Sequence, residues 1–403
     1  MHHHAPLTIV DATLADGTCT SLRIVDGIVV EHGAAPHDGD EVLDAGRALA
    51  LPALAEAHAH LDKAFLSEIV PNETGDLMGA IEGIMSHAHL ITADGTLERV
   101  ERAARTIAAH GATHIRTHVD VRHDNRLASV HAVVAVRERL RDLIDIEIVA
   151  LSDWPISGPD GADQRALLRD ALAAGADLVG GCPHLDPQPE PALEAFLEVA
   201  ADAGVAVDLH TDEHTDPSRS TLEHLARRIL ATGFDRTVTA SHCVSLGMMS
   251  ESEQRRIGAL LAEAGVHVVA LPASNLYLQG RDLQQAMPRA LTAIRSLRAE
   301  GVDVAAGWDN LQDPFNPMGR GDCLETASLM VMAGHLLHDE ALDTVTNATR
   351  RLMGLPPAGT DVGMVADLVL VRAQTVRAAL AAGPMPRTVV RRGQVLGPAL
   401  GAP

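Results

Sequence analysis

The sequence predicts an α/β protein: a (β/α)8 barrel with a small β-sandwich built from both ends of the chain. Three observations carry this. Strand-like and helix-like stretches alternate through the middle with a period of about 30 residues, the length of one βα unit. Eight such strands can be counted there, and both ends read as β structure only. At 403 residues the chain is long enough for one large barrel and a small accessory domain.

Taken in order, Leu7-Thr8-Ile9-Val10, Leu22-Arg23-Ile24-Val25 and Ile28-Val29-Val30 are short strands, the last two separated by the turn Asp26-Gly27. The body then offers strands at residues 54–58, 114–121, 144–151, 177–181, 205–210, 238–242, 266–271 and 302–306. Between them lie Ala/Leu/Arg/Glu segments of helical period, such as 97–110, 127–141, 191–203 and 251–264. Gly111, Gly175, Gly204, Gly265 and Gly301 each precede a strand, as helix C-terminal glycines do. Residues 61–94 read as a loop insertion after the first strand. At the C-terminal end, residues 366–371 and 387–396 return to strand character. The expected domains are therefore 53–359 for the barrel and 1–52 with 360–403 for the β-sandwich. A doubly wound open sheet is the alternative, although it would not normally count to eight so evenly.

Composition excludes several classes. A net charge of −22 without a basic patch argues against nucleic-acid binding. No apolar run approaches the roughly 18–20 residues that span a bilayer. Met1-His2-His3-His4 leads straight into strand-like sequence, so no signal peptide is expected, and these histidines are excluded from the site. Cys19, Cys182, Cys243 and Cys323 are widely spaced and form no C-x-x-C pair, which fits a reducing cytoplasm. Every basic side chain other than histidine is arginine except Lys63, the only lysine. It stands either by chance or because a flexible point charge does what a planar fork cannot.

The reactive-looking residues gather where barrel enzymes keep their sites, at the C-terminal ends of strands. His58-Ala59-His60 ends the first strand, and residues i and i+2 point to one side. Two imidazoles so placed suit one metal ion. His210 closes the fifth strand, His242 the sixth and Asp309 the eighth. Any one histidine here reads most simply as a polar loop-edge residue. The joint pattern does not.

These stretches resemble the amidohydrolase superfamily, and within it the cytosine deaminase-like group. The matching segments are Glu56-Ala57-His58-Ala59-His60-Leu61-Asp62, Arg116-Thr117-His118-Val119-Asp120-Val121, Asp208-Leu209-His210-Thr211-Asp212-Glu213, Thr239-Ala240-Ser241-His242 and Leu278-Gln279-Gly280-Arg281. Asp309-Asn310, the run from Asp313 to Gly319, and Gly363 to Leu370 extend the likeness over essentially the whole chain. The resemblance implies one divalent transition metal per chain, zinc or iron, held by His58, His60, His210 and Asp309. Such an ion lowers the pKa of a water. His242 and Asp309 would position that water and take its proton. Glu213 would carry a proton to a ring nitrogen and then to the leaving group. Attack gives a tetrahedral carbon, from which ammonia or an amine departs. A bridging carboxylated lysine, found on a mid-barrel strand in binuclear relatives, has no counterpart here, which leaves a single metal.

The implied partner is a small heterocyclic substrate, and a homo-oligomer is expected. Lys63, Asp153, Gln279 and Asn310 are the candidate substrate-binding residues. Asp153 aligns where cytosine deaminases carry a glutamine, and Asn310 where they carry a second aspartate. Both exchanges alter hydrogen-bond character and should disfavour cytosine. His60-Leu61-Asp62-Lys63 is closer to enzymes that remove isopropylamine from N-isopropylammelide. The expected reaction is hydrolytic deamination of an amino-substituted nitrogen heterocycle. The alternatives are hydrolysis of another C–N bond, in an N-alkylamino-triazine or a cyclic amide, and a non-catalytic binding protein on the same fold. His118 and Asp120 are read as supporting residues. Cys182 and His184 are read as loop-edge residues, and His87, His89, His335 and His338 as surface or packing residues.

Overall fold

The computed structural model describes residues 5–396. The His2-His3-His4 run and the outermost residues of the expected terminal domain, 1–4 and 397–403, lie outside them. Eight strands form one parallel sheet: Leu54–Ala59, Ala112–Val121, Asp145–Ser152, Leu178–Gly181, Ala206–Thr211, Val238–His242, Val266–Ala270 and Val304–Ala306. Each pairs with the next in sequence. The eighth closes on the first through a parallel bridge between Ala59 and Asp309, where the Asp309 N–H donates to the His58 carbonyl at 3.1 Å. The sheet is thus a closed TIM-type barrel rather than an open one.

Strands covered on both faces need near-continuous burial. All six residues of Leu54–Ala59 and all five of Val238–His242 are buried. Helices such as Ala93–Ala109, Ala128–Leu140, Pro189–Ala203 and Glu251–Glu263 lie between successive strands and pack Val100, Val133, Phe196 and Leu261 into the principal core. Gly204 ends the third of these in the left-handed region, φ 69°, where a residue without Cβ meets no steric penalty.

Residues 61–94 are not simply a loop. They contain the helix Leu77–Ser86, started by Asp76, whose side chain accepts from the Gly79 N–H at 2.8 Å. Its ten residues include two glycines and no charged residue but Glu82, so a helical period is hard to read there.

The two ends of the chain form one mixed eight-stranded sheet. Leu368–Val371 from the C-terminal part pairs antiparallel with Leu49–Pro52 from the N-terminal part, which joins the halves. Two of its strands, Glu41–Asp44 and Leu49–Pro52, went unrecognised in the sequence because each has four residues, too few to show alternation. Leu7, Ile9, Leu22, Ile24, Leu368 and Val390 give this sheet its own apolar cluster. Asp145, at the start of the third barrel strand, accepts from Arg391 at 2.7 Å and Arg392 at 2.8 Å, tying the sheet to the barrel floor.

Candidate active site

The barrel mouth brings His58, His60, His210, His242, Glu213 and Asp309 together, all buried. His210 Nε2 lies 3.2 Å from Nε2 of His58 and 3.1 Å from Nε2 of His60. Asp309 Oδ1 is 3.2 Å from His60 Nε2 and 3.6 Å from His58 Nε2. Burial, reinforced by the neighbouring imidazoles, pushes His58 and His210 well below the usual histidine range. Both rings are therefore neutral, with lone pairs to offer. Burial alone would raise Asp309, but its contacts with His60, His242 and the Ser274 hydroxyl outweigh it and hold the carboxyl below its ordinary value.

Three imidazole nitrogens drawn together beside a carboxylate oxygen suit a cation better than they suit one another. Asp309 Oδ1 and His242 Nε2 have no hydrogen-bond partner. Three sets of ligand-type groups lie within 4.8 Å: His58–His60–His210, His58–His242–Asp309 and His58–His118–Asp208. The Asp208 carboxylate of the third is already paired with Arg116 at 2.9 Å. The first two converge on one locus, compatible with a mononuclear metal site.

Glu213 stands three residues beyond His210. Burial, then the nearby Asp309 charge, pushes its carboxyl well above the usual range. One carboxyl oxygen is 3.5 Å from His242 Nδ1. Several of these positions have left-handed backbone: Asp212 at φ 50°, His242 at 66° and Asp309 at 72°. Strain of about 1–3 kcal/mol each persists only where surrounding bonds over-determine it. Asp212 is held in this way by Ser220 and Thr221, and Asp309 by Ser274.

Beside this group lies a cavity of about 100 Å³, open on one side to solvent. Lys63, Asp153 and Asn310 line it. Lys63 is buried with Nζ 2.5 Å from Asp120 and 3.6 Å from Asp62. Burial works against its charge, yet these two carboxylates hold it above the ordinary lysine value. Asp153 accepts from the Trp154 N–H at 3.0 Å, and burial raises its carboxyl. Asn310 donates through Nδ2 to Asp313 at 2.9 Å. Gln279 is not among the residues that line the cavity; its amide donates to the Glu213 carbonyl at 3.1 Å.

Other residues emerge only from the fold. Ser274 and Asn275 begin the segment after the seventh strand and bond Asp309 and His242. A polar pair just past a strand end was the available signal. Glu56 accepts from the His58 N–H at 2.9 Å and the Trp308 N–H at 3.3 Å, fastening the first strand to the segment after the eighth. A Cβ on Gly307 would come within 2.4 Å of Glu56, so only glycine fits there. Cys182 lines the cavity, and the ring of His184 meets the His210 carbonyl at 3.1 Å, so neither is an incidental loop-edge residue. His118 stacks on His58 with ring centroids 3.9 Å apart, in keeping with a supporting position. Asp120 and Arg122 form part of the cavity wall, and Leu77, Ile81 and Ile84 of the inserted helix give it an apolar side.

Among the described residues, no helix is long and apolar enough to cross a membrane. The profile of the amidohydrolase family matches residues 85–396. A pterin deaminase of Rhizobium rhizogenes is 34% identical over 384 residues, spanning 93% of this chain and 86% of that protein. The 5-methylcytosine deaminase of Klebsiella pneumoniae, solved with 5-fluorocytosine, superposes with a TM-score of 0.86 at 29% identity over 97% of each chain. The N-isopropylammelide isopropylaminohydrolase of Burkholderia multivorans gives 0.83 at 31% identity over 98% of each chain. With its fold, its site and these relatives in agreement, the chain belongs to the amidohydrolase family, in the cytosine deaminase-like group.

Proposed function

We propose that this amidohydrolase hydrolytically deaminates an amino-substituted nitrogen heterocycle, with a 2-amino ring such as that of a pterin as the preferred class. The observation that carries the reading is the placement of Glu213: a buried carboxyl 3.5 Å from His242 Nδ1, beside the donor groups His58–His60–His210 and His58–His242–Asp309. In this reading His58, His60, His210 and Asp309 hold one zinc or iron ion. Such an ion, when bound, supplies the positive charge that activates a water near neutral pH.

The chain's own residues account for the remaining steps. Glu213 gives its proton to a ring nitrogen as the C–O bond forms, takes up the proton of the newly added hydroxyl as the carbonyl re-forms, and passes it to the departing amine as the C–N bond breaks; the proton that Asp309 took from the water then restores Glu213. Asn275 donates to His242 Nδ1 at 3.1 Å, so the imidazole carries its proton on Nε2, toward Asp309 Oδ2 at 4.0 Å. From there His242 orients the attacking water, while Asp309 accepts its proton. The balance is one water consumed and one ammonia released. Asp153, an acceptor when ionised, faces an N–H or amino edge of the ring, and Lys63 and Asn310 contact its polar substituents. We assign 53–359 to the catalytic barrel and 1–52 with 360–403 to the terminal β domain. The four free cysteines fit a reducing cytoplasm.

The apolar side made by Leu77, Ile81 and Ile84 favours one second reading, release of an alkylamine from an N-alkylamino ring. A screen of pterins, aminotriazines, N-alkylaminotriazines, cytosine and imidazolones, assayed separately for ammonia and for alkylamine, tests both. Ammonia from 2-amino rings is expected. Alkylamine alone would favour the second reading, and no turnover on any of them would refute both.

A further inference from the structure

Beneath the donor set runs a chain of buried polar side chains that the proposed chemistry does not use. Arg116, 1% exposed, lies on the second barrel strand. Its Nη1 donates to Asp208 Oδ2 at 2.9 Å and to Thr239 Oγ1 at 3.2 Å, and its Nε to Glu147 at 2.6 Å. The other Asp208 oxygen, Oδ1, accepts from the Ser241 hydroxyl at 2.9 Å. Ser241 Oγ in turn lies 3.0 Å from His58 Nδ1. Asp208, Ser241 and His58 are each 0% exposed, and the four residues stand on four different strands.

Counting donors gives the chain a direction. A guanidinium only donates, a carboxylate only accepts, and a hydroxyl has one proton. Ser241 directs that proton to Asp208, so its oxygen accepts from His58 Nδ1–H. A neutral imidazole protonated on Nδ1 has a bare lone pair on Nε2, the nitrogen that faces His210 Nε2. His58 differs in this from its neighbours, since Nδ1 of His60 and Nδ1 of His210 have no hydrogen-bond partner. The His118 ring stacked on it at 3.9 Å further restrains its rotation.

We infer that Arg116, Asp208 and Ser241 are positioning residues that fix the tautomer of His58, presenting Nε2 as a ready-made metal ligand. This makes His58 the pre-ordered anchor of the donor set, and it rests on the reading of His58 as a ligand. A specific consequence follows for Asp208→Asn. The new amide would turn its oxygen to Arg116 and donate N–H to Ser241. Ser241 would then give its proton to His58 Nδ1 and leave a proton on Nε2, reversing the chain.

The test strips metal from the full-length protein and measures zinc affinity by competition with a chelating dye, with a thermal melt of each metal-free chain. Ser241→Ala should lose about 10–100-fold in zinc affinity, the usual cost of removing the partner of a metal-binding histidine, while Ser241→Thr should stay within about threefold of wild type. Asp208→Asn should lose more than Ser241→Ala. Nitrogen NMR of metal-free wild type should find the His58 proton on Nδ1, a readout that needs no variant to fold. Wild-type affinity in both Ser241→Ala and Asp208→Asn, or a proton on Nε2 in the wild type, would overturn the inference. Failure of the wild type to bind zinc would instead overturn the ligand reading beneath it.

Discussion

A carboxyl oxygen of Glu213 lies 3.5 Å from Nδ1 of His242, and both side chains are buried. The same burial drives the two groups in opposite directions. It raises the Glu213 carboxyl well above its usual range and lowers His242 to about 4. The imidazole is therefore uncharged near neutrality, with only its Nε2 proton, and burial favours the protonated form of the carboxyl. Pairs of titratable groups whose surroundings separate their pKa values mark out acid and base assignments.

Glu213→Gln keeps the shape of the side chain but cannot pass a proton. Turnover should fall by at least about 10²–10⁴-fold, the usual worth of acid–base help. Metal content and melting temperature should stay near wild type. An unchanged rate would remove Glu213 from the reaction.

Metal analysis should find one transition-metal ion per active chain, and exhaustive chelation should abolish turnover. Lys63 is the only lysine and is tied to Asp120 at 2.5 Å, so no lysine on a mid-barrel strand is available to bridge a second ion. Two ions per active chain, or full activity after chelation, would contradict the mononuclear reading.

Asp153→Gln should shift preference from 2-amino rings toward cytosine. Two acceptors set against each other in a partly desolvated pocket cost about 1–3 kcal/mol, whereas a carboxylate facing N–H makes a charge-assisted bond. The ratio of kcat/KM for 2-aminopyrimidine-type rings and for cytosine, in both proteins, is the measurement. An unaltered ratio would mean that Asp153 does not read the ring.

Asp145→Asn should flatten the dependence of stability on acid. Burial works against the Asp145 charge, but His114 and Arg391 outweigh it and hold the carboxyl below its ordinary value of 3.8. A carboxyl depressed on folding stabilises above its unfolded pKa, and that contribution disappears as pH falls through the folded value. Melting temperatures followed from neutral pH to below about 4 should therefore drop more steeply for wild type than for the variant. Parallel curves would assign the acid sensitivity elsewhere.

The eight barrel strands and the helices between them were legible in the sequence because period and punctuation are local properties. Val238–His242 is a short buried run bounded by turn signals, and Gly204 ends a helix in a conformation glycine adopts freely. His58, His60, His210, His242 and Asp309 were legible for a related reason: the end of a strand is a place in the sequence, and a barrel turns all such ends to one mouth. Other features depended on which distant residues meet. Ser274 and Asn275 matter through Asp309 and His242, and Glu56 through Trp308. Ser241 matters through His58 on one side and Asp208 on the other. Gln279 meets the Glu213 carbonyl. The helix Leu77–Ser86 shows itself as a cavity wall only once it packs. Local pattern sets where a strand begins and ends, because backbone preference acts over a few residues. Hydrogen bonds in the buried centre of the barrel join residues tens to hundreds of positions apart, and only closure of the sheet decides which donor faces which acceptor.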